Sequence, residues 1–419
     1  MPTFSIPLSG LTAMSTQLSA IANNLANLNT VGYKDTRVLF RDLFYQTIGS
    51  SGAGDPVQLG AGVGVSSMPS MFTQGNVDPS GVPTDVAINQ DGFFIVRKDG
   101  VTSYTRAGNF STDDHDTLIT AEGQQVLGFP AVNGAIDTGQ GLTSLQLGTG
   151  TISPPTVTSS VKIRTNLDAA AEVGSVDASY STPVTIYDSL GASHVLKFTF
   201  TKVSSNNWNY EISIPAADLG LAGNPPAPQS GILSTGQLVF DGNGVLTSPT
   251  QDVTNIQIQN LADGATDMTF DWNLFDGTTP VLSQVAAANS TSSTEQDGRS
   301  SGALAKFAIG SDGIITGTFS NGKTAILGQL ALANFANVQG LMRDGNNCYS
   351  ETLASGQAVV GAPGTGGRGT LEGGALELSN VDIAKEFAAM IVAQRGFQAN
   401  ARVVTTFDQI TQETINLKQ

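Results

Sequence analysis

The stretch LTAMSTQLSAIANNLANL, residues 11–28, repeats large apolar side chains in alternating steps of three and four residues. This spacing is the a/d repeat of a coiled-coil helix. We therefore predict a helix over residues 9–29, roughly 30 Å long, with Gly32 placed to end it. The apolar positions are Leu11, Met14, Leu18, Ile21, Leu25 and Leu28.

The same segment carries no charge, because residues 1–33 contain no Asp, Glu, Lys or Arg. A solvated helix face normally carries Glu and Lys. Burying an unpaired charge costs far more than burying an amide that can be hydrogen-bonded. A helix whose polar faces hold only Ser, Thr, Gln and Asn is therefore expected to be buried on several sides.

A second apolar stripe occupies the C-terminal segment, residues 376–419, after the helix-start signals Ser379, Asn380 and Asp382. Gln394 lies within this stripe, where a polar residue can set the helix register. Two interpretations remain open: a helical hairpin that caps a domain, or a seam between neighbouring copies, which the uncharged N-terminal helix favours. The apolar positions are Ile383, Phe387, Met390, Phe397, Ala401 and Val404, followed after a register shift by Phe407, Ile410 and Leu417.

Composition bounds the remaining possibilities. A chain of 419 residues exceeds one ordinary core, so two or three domains are expected. The net charge of −16 disfavours nucleic acid as a partner. One cysteine, Cys348, excludes an intrachain disulfide framework. The sequence contains no run of eighteen apolar residues, so no membrane span is expected. The N-terminus lacks the features of a Sec signal peptide, so export, if it occurs, is expected by another route.

The middle of the chain reads as short strands and turns. Residues 85–88 and 93–96 are predicted strands around the turn 89–92, and 241–244 is a hairpin turn. Strands are also predicted at 195–203 and 208–214. Composition changes at 149–158 and 286–301 mark boundaries.

These signals predict a mainly β, discontinuous multidomain protein with α-helical termini. Its expected parts are a terminal helical domain (1–34 plus 376–419), a Gly/Ser-containing connector (35–74), a core β-domain (75–160 plus 302–375) and an inserted outer β-barrel or sandwich domain (161–301).

The sequence motifs that could indicate a catalytic or ligand-binding site are weak. Residues 364–369 match G-x-G-x-x-G, but no helix is expected at the third glycine, so a glycine-rich turn is the better interpretation. Asp113, Asp114 and Asp116 lack the rest of a calcium loop. His115 and His194 lie far apart in sequence, and no nucleophile motif accompanies either. We expect no enzyme activity, no cofactor and no metal site.

Motifs at both ends and in the middle resemble the bacterial flagellar rod and hook proteins, an axial-protein family. The resemblance rests on residues 22–27 and 29–34, on 91–94 and 104–110, and on 378–382, 390–395 and 397–401. Residues 185–191, 320–324 and 327–335 resemble motifs of the hook members. Rod members are generally shorter and lack a large inserted domain.

The resemblance implies a homopolymeric tube joining the flagellar rod to the filament, exported through the flagellar type III apparatus. Its implied partners are further copies of itself, the distal rod, the hook cap, the hook–filament junction proteins and the export apparatus. Two alternatives are a distal rod subunit and, from another class, a secreted glycan-binding adhesive protein with a coiled-coil stalk.

Overall fold

The computed structural model describes residues 5–50, 55–132, 134–147, 152–219 and 231–417. They form two helices at the ends of the chain and short strands between, which confirms the predicted fold class. The chain divides into two compact units. The first contains Met1–Gly148, Lys306–Gly317 and Thr324–Gln419, and the second contains Thr149–Ala305 and Thr318–Lys323. No helix among the described residues is long and apolar enough to cross a membrane.

The two helices are α1 (Ser5–Ala26) and α2 (Ile383–Asn416). α1 begins and ends slightly earlier than predicted, and Gly32, at φ +66°, follows it in a turn. Asp382 caps α2, because its Oδ1 accepts hydrogen bonds from the backbone N–H groups of Ala384 and Lys385 at 2.9 and 3.1 Å.

The strands before residue 154 are β1 (Leu39–Asp42), β2 (Tyr45–Ser50), β3 (Pro56–Gly60), β4 (Val63–Ser67), β5 (Val77–Pro79), β6 (Val86–Asn89), β7 (Phe93–Lys98), β8 (Val101–Thr105), β9 (Ser111–Thr112), β10 (Leu118–Ile119), β11 (Gln125–Val132), β12 (Ala135–Ile136), β13 (Thr143–Ser144) and β14 (Ile152–Ser153). Next come β15 (Ser160–Asp168), β16 (Ser179–Tyr187), β17 (Ser193–Ser204), β18 (Asn207–Ser213), β19 (Ile232–Phe240), β20 (Leu246–Ser248), β21 (Val253–Ile258), β22 (Met268–Asn273), β23 (Phe275–Asp276), β24 (Thr279–Pro280), β25 (Leu282–Val285) and β26 (Ser290–Gln296). The returning segment holds β27 (Gly302–Ile309), β28 (Ile314–Phe319), β29 (Thr324–Leu330), β30 (Leu332–Asn334), β31 (Met342–Gly345), β32 (Cys348–Ser350), β33 (Val359–Gly361), β34 (Thr370–Gly373) and β35 (Ala375–Glu377).

The main sheet of the first unit has the antiparallel order β29-β11-β7-β8-β32-β31. Its central strand β7 is buried on both faces: Phe94 and Val96 join one hydrophobic cluster, and Phe93 and Ile95 join another. Alternate residues of a strand point to opposite faces, which explains the continuous apolar run at 93–96.

The two strands on either side of the turn after β6 do not pair with each other. β6 pairs with β34, whereas β7 pairs with β8, β11 and β30. The Arg106 Nη1 group donates to the carbonyl oxygens of Gln90 and Gly92 at 2.8 and 2.7 Å, so a buried guanidinium occupies the turn.

The segment 35–74 is predicted as a connector, and its described residues form four strands. β1 pairs with β4 and β2 pairs with β3, both antiparallel. Several apolar side chains in this segment face solvent, among them Phe44, which is 94% exposed, and Ile48, which is 62% exposed.

The second unit packs two five-stranded sheets around one apolar core that includes Trp208 and Trp272. One sheet is the antiparallel meander β16-β17-β18-β19-β20. In the other, β15 pairs in parallel with β22 and β25 and antiparallel with β26. The strands predicted at 195–203 and 208–214, and the hairpin around 241–244, are confirmed as β17–β18 and β19–β20.

Candidate assembly site

The terminal helices form an antiparallel pair in which small residues lie at the contact. A Cβ added to Gly10 would lie 2.8 Å from the Asn400 side chain, and one added to Gly396 would lie 3.1 Å from Met14 Sδ. Ala13, Ala20 and Ala393 are buried along the same stripe. Residues without bulk let two helices approach closely, so the pair is dense but buries few large side chains.

The predicted seam residues lie mostly beside this contact. Ile21 is buried, whereas Leu11, Met14, Leu18, Leu25 and Leu28 are half-buried. On α2, Met390 and Val404 are half-buried, and Ile383, Phe387 and Phe397 are 46%, 52% and 38% exposed. The intrachain pairing therefore leaves apolar side chains exposed on both sides of the contact, and we call them together the apolar flank. It also includes Leu8, Ile391, Val392, Val403 and Ile410.

A buried charge cluster joins the base of the helix pair to the β-strands of the same unit. Glu377 Oε1 accepts a hydrogen bond from Lys34 Nζ at 2.7 Å, and Glu377 Oε2 accepts one from Arg106 Nε at 2.9 Å. The side chains of Lys34 and Glu377 are fully buried, and that of Arg106 is 4% exposed. We name these three residues the junction triad.

Further donors and acceptors satisfy the junction triad. The backbone N–H of Gly75 donates to Glu377 Oε1 at 2.9 Å, and Lys34 Nζ donates to the carbonyl oxygen of Thr73 at 2.7 Å. Burial lowers the pKa of Lys34, and the Arg106 charge lowers it further, against the attraction of Glu377. Removing one member of such a group leaves an uncompensated buried charge, which typically costs about 3–5 kcal/mol.

Amide side chains extend the junction to both helix ends. Asn24 Oδ1 on α1 accepts from the Thr36 backbone N–H at 3.0 Å and from the Tyr33 hydroxyl at 3.2 Å. Just before α2, Asn380 Oδ1 accepts from the Asp35 N–H at 2.8 Å, and Asn380 Nδ2 donates to the Met71 carbonyl at 2.8 Å. The asparagines therefore hold the chain entering and leaving the helix pair.

The motifs at 29–34 and 104–110 and the C-terminal segment contain Lys34, Arg106 and Glu377, but the sequence patterns predict no role for these three residues. One signal was present: Lys34 is the first charged residue after 33 uncharged ones. Its pairing with Glu377 spans 343 positions of sequence. Separation on that scale hides such a partnership from local patterns.

The weaker motifs prove to be turns. Asp113 accepts from the backbone N–H groups of His115 and Thr117, and Asp241 accepts from those of Asn243 and Val245. The glycine-rich run 364–369 leads into the strand β34 rather than a helix. Cys348 is buried, and burial raises the pKa of its thiol despite a 3.2 Å contact between Sγ and Gln124 Oε1.

Four family models match successive parts of the chain. They are described as flagella basal body rod protein (residues 6–34), flagellar hook protein FlgE/F/G D1 domain (87–166), flagellar basal body protein FlaE D2 domain (158–299) and flagellar basal body rod FlgEFG protein C-terminal (372–417). These matches define a structural protein of the bacterial flagellum, an extracellular appendage.

Relatives narrow this class. The flagellar hook protein FlgE of Escherichia coli K12 is 35% identical over 99% of this chain and 100% of its own. The FlgE proteins of Salmonella typhimurium and Treponema pallidum are 36% and 34% identical, over 99% and 98% of this chain and 100% and 98% of theirs. The chain belongs to the flagellar hook protein family and is a structural subunit of the hook. These relatives favour the hook interpretation over the rod subunit and the adhesive protein.

Proposed function

We propose that this chain polymerises through the apolar flank of its helix pair into a flexible tube that transmits torque from the flagellar rod to the filament. The observation that carries the proposal is the intrachain pairing itself. It uses Gly10, Ala13 and Gly396, and it leaves large apolar side chains exposed on both helices. Unpaired apolar surface of this extent is typical of protein–protein contacts.

The small and the large residues of the helix pair have different roles within the tube. Gly10, Gly396 and the buried alanines hold α1 to α2 within one subunit. The bulkier positions, such as Leu18, Phe387 and Phe397, supply contacts between subunits. The uncharged polar face of α1 suits this arrangement, because neighbouring copies can cover amides and hydroxyls at lower cost than charges.

We propose the partners at the ends of the tube from family membership. They are the distal rod, the hook cap and the hook–filament junction proteins, and the subunits would reach them through the flagellar type III export apparatus. In a flagellated host, loss of secretion after truncation of α1 with normal cytoplasmic levels would support this route. Unchanged secretion would argue against an N-terminal export signal.

Charge insertion tests the seam. Leu18→Asp and Phe397→Asp each place a carboxylate where the polymer would bury it, at a cost of several kcal/mol per contact. We expect tubes from the unmodified chain and none from either variant in negative-stain images at equal concentration. The matched control is Thr185→Asp, on an exposed strand position of the second unit.

Circular dichroism and thermal unfolding would show that both variants keep their β-units. Normal tubes from Leu18→Asp or Phe397→Asp would show that the apolar flank is not the surface that joins the subunits. Loss of tubes in the Thr185→Asp control would indicate that the second unit contributes contacts between subunits.

A further inference from the structure

In the second unit, His194 lies at the meeting point of three carboxylates from three separate segments. Its Nε2 lies 3.0 Å from Asp188 Oδ2 and 3.6 Å from Asp263 Oδ2. Its Nδ1 lies 3.3 Å from Asp218 Oδ2. The chain around His194 therefore surrounds both ring nitrogens with acidic oxygens, although no sequence motif relates the four residues.

Backbone hydrogen bonds fix the two carboxylates that face Nε2. Asp188 Oδ1 accepts from the N–H groups of Leu190 and Ala192 at 2.8 and 2.9 Å, which leaves Oδ2 for the imidazole. Asp263 Oδ1 accepts from the Ala265 N–H at 3.0 Å, which again leaves Oδ2 free of the backbone. The oxygens that face the ring are thus held in place by the loops that carry them.

The segments that carry Asp218 and Asp263 are also tied together. The Ala262 N–H donates to the Asp218 carbonyl at 2.9 Å, beside a β-bridge between Leu219 and Leu261. His194 is 6% exposed and Asp188 is fully buried. The Asp263 side chain is 29% exposed, so the cluster opens to solvent on that side.

Two carboxylate oxygens facing one ring nitrogen require a hydrogen atom or a cation between them, because the lone pairs of all three atoms otherwise repel one another. A proton on Nε2 meets this need, and so does a metal ion. The ligand atoms of Asp188, His194 and Asp263 all lie within 4.8 Å of one another. Zinc with ligands at about 2.0–2.2 Å has tetrahedral edges of about 3.3–3.6 Å, a range close to the two measured Nε2–oxygen distances.

We propose that Asp188, His194 and Asp263 form a site for a divalent transition metal ion, with zinc as the representative ion and Asp218 as the residue that orients the imidazole. One imidazole nitrogen and two carboxylate oxygens suit zinc better than calcium, which takes six to eight oxygens. A carboxylate on the far ring nitrogen is the usual partner of a metal-bound histidine. Water would complete the coordination on the open side.

The site would hold together three segments of the second unit: the turn after β16, the turn that contains Asp218, and the loop between β21 and β22. A divalent ion with neutral His194 also compensates three carboxylates better than a single imidazolium does. Sequence reasoning expected no metal site because the two histidines lie far apart. A site with one histidine, the nearby Asp188 and the distant Asp263 leaves no such spacing signal.

Calorimetric titration of the metal-free, full-length monomer with zinc chloride at pH 7 tests the proposal. We expect one zinc per chain. Asp218→Asn should weaken binding about 10–100-fold, as loss of an orienting partner does. His194→Gln and Asp263→Asn should weaken it more, because each removes a ligand.

The matched control is His115→Gln, since His115 is the other histidine and is exposed beside Asp113 and Asp114. This variant should bind zinc as the unmodified chain does. Asp263→Asn changes a partly exposed side chain, so it keeps the test valid if His194→Gln fails to fold. Equal binding by the unmodified chain, His194→Gln and Asp263→Asn would overturn the proposal, as would an Nε2 proton that persists in NMR spectra at saturating zinc.

Discussion

Glu377 is the residue on which the first unit depends most directly. It compensates two cations, Lys34 and Arg106, that come from segments far apart in the chain. It also binds the backbone on both sides, because its carbonyl accepts from the Gly32 N–H at 2.7 Å. A fully buried carboxylate with these partners is replaceable only if both cations are replaced with it.

We predict that Glu377→Gln lowers the free energy of unfolding of the first unit by about 3–5 kcal/mol, because it leaves two buried cations without a counter-charge. Denaturant unfolding measures the change. The control is Glu372→Gln on the neighbouring strand β34, where the side chain is exposed and a change within about 0.5 kcal/mol is expected. A loss below about 1 kcal/mol for Glu377→Gln would mean that water reaches the triad.

We predict that Glu386 makes the stability of the helix pair depend on pH. Burial raises the pKa of its carboxyl, a hydrogen bond with Asn24 opposes the shift, and the neighbouring Asp35 adds to it. Lys385 and Asp382 also act on it, with opposite signs. A carboxyl whose folded pKa lies above its unfolded value stabilises the fold at low pH, and this stabilisation is lost as pH rises through the folded pKa.

Amides of α1 and α2 should therefore exchange more slowly, after correction for intrinsic rates, at about pH 4.5 than at pH 7. Glu386→Gln should slow exchange at pH 7 and reduce the difference between the two conditions. Glu413→Gln, exposed near the other end of α2, serves as the control and should change neither. Identical pH dependence in the Glu386→Gln variant would assign the effect to another group.

At the scale of elements, the helix pair separates two kinds of contact that the sequence presents as one stripe. Small residues face the partner helix of the same chain, and large apolar residues flank them. The offset is one position along α1: Gly10 and Ala13 are buried at the contact, while Leu11 and Met14 are half-buried, although Met14 Sδ still lies against Gly396. Both rows repeat in steps of three and four, so periodicity alone does not distinguish them.

Gly10→Val should loosen the pair, because the added side chain meets Asn400 at a position where even a Cβ lies within 2.8 Å. Overpacking of this kind costs about 1–3 kcal/mol. Faster exchange of α2 amides near Asn400 is the expected readout. Ala22→Val, at an exposed position of the same helix, controls for the introduction of a β-branched side chain into α1. Equal effects from both variants would remove the close contact as the cause.

At the scale of the whole molecule, the second unit is inserted in a way that allows it to be removed. Thr156 and Arg299 form an antiparallel bridge with two backbone hydrogen bonds, of 2.9 and 2.8 Å. A two-residue Asn-Gly turn can join strands paired in this way. The chain therefore offers a defined position for shortening without cutting the first unit.

Replacing residues 157–298 by Asn-Gly should leave the helix flank intact and still give tubes, but with altered curvature and stiffness. Electron microscopy of the polymers, with persistence length measured from their contours, tests this expectation. Full-length protein is the control. Absence of any polymer from the shortened chain, with its first unit folded, would show that the second unit is essential for assembly.

The sequence by itself determined the helical ends, the mainly β middle, the strands at 195–203 and 208–214 and the family, because periodicity, turn residues and motifs are local. Tertiary structure decided which partner each element takes. It paired β6 with β34, joined Lys34 to Glu377 and surrounded His194 with three aspartates. Apart from the pair His194 and Asp188, which are six positions apart, these contacts join chain segments tens to hundreds of positions apart. Over such separations burial and charge compensation select the partners, and local patterns carry no record of them.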